Sequence, residues 1–70
     1  MKNANYNLVK MLLAKLDDAW RVEQHYSKDA AEHGCEECRQ LLDKILAADK
    51  EHIELLRQEL ARHIKSDQFS

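Results

Sequence analysis

The sequence has no proline and only one glycine, Gly34, among its 70 residues. Strands and hairpin turns depend on turn residues and β-branched runs, and both are missing here. The chain also lacks an apolar run of membrane-spanning length, because Lys10 and Lys15 interrupt its longest apolar stretch. These absences exclude β-rich folds and a membrane-embedded chain, and they predict an all-α protein.

Charge of one sign is also scarce. The net charge is -2 with histidines neutral, and lysine and arginine are spread evenly rather than clustered. We therefore expect no nucleic-acid or membrane partner. No small-residue cleavage site follows the N-terminal stretch, so no signal peptide is expected. Two cysteines without an export signal predict a cytoplasmic protein.

The only strong interruption of helical sequence is "EHGCEEC", residues 32–38. Gly34 suits the end of a helix because it adopts positive φ without a Cβ clash. The acidic Glu36 and Glu37 suit the start of the next helix. The sequence thus predicts one domain over residues 1–70, with helix 1 at about 5–33, a hinge at 33–36 and helix 2 at about 36–65.

Apolar residues follow a four-three rhythm in both predicted helices. It selects Val9, Leu12, Leu16, Ala19, Glu23, Tyr26 and Ala30 in helix 1, and Cys38, Leu42, Ile45, Asp49, His52, Leu56, Glu59 and His63 in helix 2. Further apolar residues flank the second stripe on both sides, so one neighbouring helix is too narrow to cover it. We expect an antiparallel two-helix hairpin that pairs as a homodimer into a four-helix bundle. A monomeric hairpin, or one bound to another protein, is the alternative.

Three ionisable residues fall on these stripes. Folding the helices back at Gly34 places Glu23 within about one turn of Asp49, with His52 one turn further along helix 2. In a dimer they would supply four carboxylates and two imidazoles, which suits a di-iron or di-manganese site and does not exclude zinc. One alternative is a buried salt-bridge network of Glu23 or Asp49 with His52 or a lysine, and another is that these residues face water.

The stretches "AWRVEQHYSKDA" (residues 19–30) and "DKEHIELLRQEL" (residues 49–60) resemble the ferritin-like superfamily, in particular its two-helix members of the encapsulated-ferritin type. The resemblance implies that Glu23 is the first-helix carboxylate ligand. It places Asp49 at the Glu of Glu-x-x-His, one methylene shorter than usual, and His52 at its His. It further implies iron as cofactor and Fe(II) oxidation by oxygen or peroxide. The chain ends in "SDQFS" without an encapsulation tail, so loading into a protein shell is not expected.

Three other groups of residues have chemical potential. Trp20 and Tyr26 border the predicted metal site, as second-shell residues or as core packing. Glu59 and His63 could form a second, more open metal site or a solvated helix end. Cys35 and Cys38 form a C-x-x-C motif beside His33, which suits a zinc site, a redox-active pair, or one loop thiol and one core thiol.

Two functions without iron compete with the metal hypothesis. In the first, the chain is a helical interaction module, and its buried acids and histidine form a polar layer that fixes the register of packing. In the second, the C-x-x-C motif is a thiol or zinc sensor. Chelator sensitivity distinguishes the metal protein from the interaction module, and a reductant tests the sensor.

Overall fold

The computed structural model describes residues 2–68, and within this range the chain forms two long helices and no strand. The first helix consists of α1 (Asn3–Arg21), a π-helical segment (Val22–Tyr26) and α2 (Ser27–Glu32). Residues at both junctions keep right-handed helical dihedrals, so these three parts are continuous. The second helix is α3 (Glu36–Lys65).

The connection between the two helices depends on Gly34. Its φ is 70°, and its N–H donates to the Ala31 carbonyl at 3.1 Å, while the Cys35 N–H donates to the Ala30 carbonyl at 2.9 Å. This pair of bonds is the Schellman arrangement, which satisfies carbonyls at a helix end. The prediction that the helix ends at a left-handed glycine is confirmed.

The two helices lie side by side, with the start of α1 next to the end of α3. Asn5 bonds His63 and the Gln68 carbonyl, and Lys15 bonds Asp49. Within the described range four hydrophobic residues are buried, and two of them are alanines: Ala19, Val22, Ala30 and Leu60. Partly buried leucines and isoleucines extend this contact along α3.

The residues that face the neighbouring helix differ from the predicted stripes. In the first helix Val22 is buried, whereas Leu16, Glu23 and Tyr26 are exposed. In α3, Asp49, Leu42 and Leu56 face inward as predicted, but Ile45 and His52 are exposed, and Leu46 and Ile53 take the inward positions. Both flanks of the α3 stripe are apolar, so its pattern fitted more than one rotation of the helix.

The molecule is long and thin, with extents of 50 × 16 × 14 Å. Two helices cannot enclose many side chains, so many large hydrophobic residues stay exposed. They include Tyr6, Met11, Leu13, Leu16, Trp20, Tyr26, Leu41, Ile45, Leu55 and Ile64. Over residues 2–68, no helix has the length and apolar character needed to cross a membrane.

Candidate functional site

Asp49 is the buried carboxylate at the centre of the helix pair, with 5 % of its surface exposed. Lys15 of α1 reaches across and places its Nζ 3.1 Å from Asp49 Oδ1. The partner that offsets the burial of this acid is therefore a lysine of the same chain. Lys15 lies on the inward side of α1, three residues after Leu12 and four before Ala19. This three-four spacing is visible in the sequence and is the signal that places Lys15 on the inward side.

Glu23 and His52 lie on different sides of Asp49. Glu23 is 42 % exposed at its side chain, and its carboxylate is 3.0 Å from Lys50 Nζ. His52 is exposed. Lys50 and His52 are two residues apart, or about 200° around a helix, so they project from nearly opposite sides of α3.

The predicted metal ligands are thus not gathered within one chain. Among residues 2–68, no three His, Cys, Asp or Glu side chains lie close enough together to hold a metal ion. The carboxylates of Asp49 and Glu23 each have a lysine as neighbour instead. In a single copy the donor set does not fit a di-iron group, and any such site needs ligands from a second copy.

The two aromatic residues predicted beside the metal are at the surface. Trp20 is 54 % exposed, and its ring meets the edge of the His25 ring at a centroid distance of 5.2 Å. Tyr26 is also exposed. The hydrogen bond with Asp17 raises the pKa of Arg21 most, and a side-chain hydrogen bond with Tyr26 raises it further. Core packing within one chain is therefore wrong for both residues.

Glu59 and His63 belong to a polar network at the end of α3. His63 Nε2 is 2.9 Å from the Glu59 carboxylate, and Nδ1 contacts the amide oxygen of Asn5. The hydrogen bond from Arg62, and secondarily the one from His63, lowers the pKa of Glu59 to about 2. These residues join α1 to α3, so the predicted solvated helix end is wrong for His63, which is partly buried.

One apolar face of α3 is open to solvent. Leu41, Ile45, Ala48, His52 and Leu55 follow a four-three-four-three spacing, and all five are exposed. His52 and Leu55 also line a groove of about 420 Å³ between the helices, together with Leu8, Met11, Lys15, Leu56 and Glu59. We call these five α3 residues the α3 face.

A second apolar face lies on the first helix. Leu13, Leu16 and Trp20 share the side of Glu23 through a three-four-three spacing. Glu23 contacts Lys50, which projects away from His52. This aromatic face (Leu13, Leu16 and Trp20) and the α3 face are therefore on opposite sides of the helix pair.

The cysteines of the C-x-x-C motif are joined by a disulfide, with Cα atoms 5.2 Å apart. Cys35 is the N-terminal cap of α3, and its Sγ accepts a hydrogen bond from the Cys38 N–H at 3.1 Å. His33 is exposed and ends α2. The interpretation of Cys35 and Cys38 as two separate thiols is wrong.

No protein-family profile matches the chain, and neither curated proteins nor solved structures include a significant match.

Proposed function

We propose that this protein is a helical self-association module, in which the two helices act as a hairpin and a second copy covers the α3 face to complete a four-helix bundle. The observation that carries this proposal is the exposure of Leu41, Ile45 and Leu55, the last at 57 %, on one continuous side of α3. Each of these side chains is about half exposed, so covering one would gain roughly half of the 1.5–3 kcal/mol that full burial supplies.

The shape of the α3 face fits a second copy as the occupant. The face runs along about 21 Å of α3, from Leu41 to Leu55, and the groove beside it extends the apolar surface onto the first helix, so an identical copy presents a surface of equal length. The face contains no lysine, arginine, aspartate or glutamate among its five members, and interface cores are depleted in these residues. A two-fold axis would bring the same face of both copies together, so that its leucine and isoleucine side chains pack against each other.

The Lys15–Asp49 pair supplies the polar layer of this module. A paired charge inside an apolar contact penalises packings that separate its members, so it favours one register over others. Lys15 also lines the groove beside the α3 face, so the pair lies next to the proposed interface. The role that the sequence assigns to Glu23, Asp49 and His52 together would then belong to Lys15 and Asp49.

The test is a charge placed on the α3 face. Leu55→Lys should convert the dimer to a monomer in analytical ultracentrifugation and lower Tm at high protein concentration, because a buried lysine opposes association. Ala47→Lys introduces the same positive charge at an exposed position outside the face and should leave the dimer intact. A wild-type protein that stays monomeric at high micromolar concentration would contradict the proposal.

We propose metal binding as a second function, favoured by the π-helical segment that contains Glu23 and Tyr26. Such segments occur often at functional sites. Because Glu23 and His52 lie on opposite sides of one chain, Glu23 of one copy would have to meet Asp49 and His52 of another copy. Iron is the metal that the ferritin-like resemblance implies, with manganese or zinc as alternatives, and Fe(II) oxidation is an expectation that depends on it.

Metal analysis of the purified protein tests this second function. Wild-type protein should retain metal after dialysis, and both Glu23→Ala and His52→Ala should lose it. Glu51→Ala changes an exposed acid nearby and should keep the wild-type content. Equal metal content in wild type and both ligand variants would refute the metal site and leave the self-association proposal standing.

A further inference from the structure

We propose that Cys35 and Cys38 form a reversible disulfide that exchanges with small thiols, that the incoming thiolate attacks Cys38, and that the site prefers cationic or neutral thiols over anionic ones. The proposal stands apart from self-association, since neither cysteine is part of the α3 face. It begins from the position of the pair at the junction of the two helices.

The backbone holds the two sulfur atoms together without the help of distant packing. Gly34 turns the chain so that Cys35 caps α3, and Cys38 follows in the first turn of that helix. The disulfide closes a loop with a sequence separation of 3, and such short loops gain the least stability from a cross-link. The helix turn that brings the cysteines together is already held by backbone hydrogen bonds, so opening the disulfide leaves the fold in place.

The two sulfur atoms differ in access and in stabilisation. Cys38 is exposed, whereas Cys35 is only partly so. The Cys38 N–H donates to Cys35 Sγ at 3.1 Å, and the N-terminus of α3 favours negative charge at the same atom. A thiolate leaving at Cys35 is therefore better stabilised than one leaving at Cys38, and the reagent attacks the more accessible sulfur.

The charges beside the disulfide select the thiol. A concave surface of about 330 Å³ beside the disulfide is lined by Gly34, Cys35, Glu36 and Glu37. Cys38 lies outside this lining and is exposed, so a small thiol reaches its sulfur from the open surface next to Glu37. The hydrogen bond from Arg39 lowers the pKa of Glu36, which keeps that carboxylate ionised. Because Arg39 pairs with Glu36, the net negative charge at the approach comes from Glu37, which repels an anionic thiol and attracts a cationic one.

The exchange balances as a two-electron reduction. A thiolate RS⁻ bonds to Cys38 Sγ, the Cys35–Cys38 bond breaks, and Cys35 leaves as a thiolate. A second RS⁻ then attacks the reagent sulfur of the mixed disulfide and releases Cys38, giving RSSR. The two protein thiolates take up two protons from water, so two equivalents of thiol are oxidised for each disulfide reduced.

The first experiment locates the mixed disulfide. Oxidised protein is treated with cysteamine, quenched with iodoacetamide during the reaction and analysed by peptide mass spectrometry. Cysteamine should be attached to Cys38, with Cys35 alkylated, in about tenfold excess over the reverse, the factor that one hydrogen bond of ordinary strength supplies. Attachment at Cys35 in equal or greater amount would overturn the assignment, as would a disulfide that resists reduction without denaturant.

The second experiment measures charge selection. Cysteamine, mercaptoethanol and mercaptoacetate are compared at low salt, each rate corrected for the fraction of thiolate in the reagent. The cationic thiol should react about three- to tenfold faster than the anionic one, and added salt should shrink the ratio. Glu37→Gln should narrow it, while the matched Glu51→Gln should not. Equal rates for all three thiols would refute the proposed charge selection. So would an equal decrease of the cationic-to-anionic rate ratio in Glu37→Gln and Glu51→Gln.

Discussion

The Asn5 side chain fixes the two ends of the described chain to each other. It is 1 % exposed, its amide nitrogen donates to the Gln68 carbonyl at 2.7 Å, and its amide oxygen faces His63. The donor bond to Gln68 sets the orientation of the amide, so the oxygen can only point toward the imidazole. One small polar residue thus connects the first turn of α1 to the last turn of α3.

Asn5→Ala should lower the free energy of unfolding by about 1–3 kcal/mol, because it removes the hydrogen bonds that the buried Asn5 amide makes to the Gln68 carbonyl and to His63 Nδ1. Urea denaturation followed by circular dichroism measures the change. Asn7→Ala removes the same group from an exposed position two residues away and should have little effect. Equal destabilisation by the two variants would show that helix propensity, and not the buried amide, is responsible.

The sequence predicted some individual residues and missed others for a physical reason. Asp49 was predicted to be buried, and it is. A buried salt bridge between Asp49 and a lysine was one of the alternatives and is confirmed, although the sequence did not identify Lys15 as that lysine. Asn5 was missed, because a lysine or asparagine among apolar residues is usually solvated unless the other helix supplies a partner. The spacing of Lys15 from Leu12 and Ala19 was the available signal. No local pattern indicated Asn5, whose partners are 58 and 63 residues away.

At the scale of elements, the two long helices end with the same backbone device but different residues. Gly34 ends the first helix at φ 70°, and Asp67 follows α3 at φ 59°. The Asp67 N–H donates to Ile64 and the Gln68 N–H to His63, which repeats the bonding at Gly34. Only one of the two positions has the residue that adopts this conformation without strain.

Substitutions at these positions should have opposite effects. Gly34→Ala should destabilise the protein by about 1–2 kcal/mol, although an added Cβ would meet nothing within 4 Å, because a left-handed alanine is strained. Asp67→Gly should stabilise it by no more than about 0.5 kcal/mol, because aspartate is less strained than alanine in this conformation and glycine gains freedom in the unfolded chain. Thermal unfolding measures both changes. A neutral Gly34→Ala would contradict the backbone explanation, since no side-chain clash confuses the result.

Three glutamates at i,i+3 spacing from arginines line α3, and they make the helix sensitive to acid. Hydrogen bonds from Arg39, Arg57 and Arg62 lower the pKa of Glu36, Glu54 and Glu59, the last to about 2. A carboxylate with a depressed pKa in the folded state stabilises it above the unfolded pKa, here 4.5, and loses that contribution as pH falls toward the folded value.

Helix content and Tm should therefore fall between about pH 5 and pH 2. Glu59→Gln should reduce the acid-dependent loss, because the carboxylate whose pKa is lowered to about 2 no longer titrates. Glu51→Gln is the matched control and should keep the wild-type profile. Circular dichroism at a series of pH values tests this, and a wild-type stability independent of pH over that range would contradict it.

The element least visible in the sequence is the π-helical segment. The four-three rhythm predicts that Glu23 and Tyr26 follow Ala19 on the inward side of the helix. In the structure Val22 is buried and Ser27 is partly buried instead. A π segment accommodates an extra residue per turn, so the inward side passes from Val22 to Ser27 and coincides with the predicted stripe again at Ala30. The helix-ending glycine was predictable because its signal is local, but the displacement depends on packing against α3.

At the scale of the whole molecule, Lys15 and Asp49 link the fold of one chain to its proposed packing with another. Lys15→Leu should destabilise the protein by about 3 kcal/mol, since it leaves a buried carboxylate alone. Asp49→Leu should cost less, because the Lys15 side chain, already 23 % exposed, can extend its amine to water. The double substitution should regain most of the stability.

Urea denaturation measures the stability of the three variants. The oligomeric state of the double variant then tests whether the Lys15–Asp49 pair fixes the register of packing. If the pair fixes register, ultracentrifugation should find a mixture of assemblies where the wild type gives one. A double variant that is both stable and a single dimer would show that the apolar surfaces alone specify the packing. A double variant as unstable as Lys15→Leu would indicate that the helix pair itself requires the charges.

The opposed placement of the two apolar faces limits how association can stop. A two-fold pair formed through α3 would hide one face of each chain and present the Leu13, Leu16 and Trp20 side chains twice on its exterior. Such a pair is bivalent: each outer patch offers the same attachment point to another pair. Further assembly would then stop only when the pairs form a closed ring or when another protein binds the outer patches. Substituting Trp20 should distinguish these cases, because it should change the number of copies per assembly and leave the pair intact.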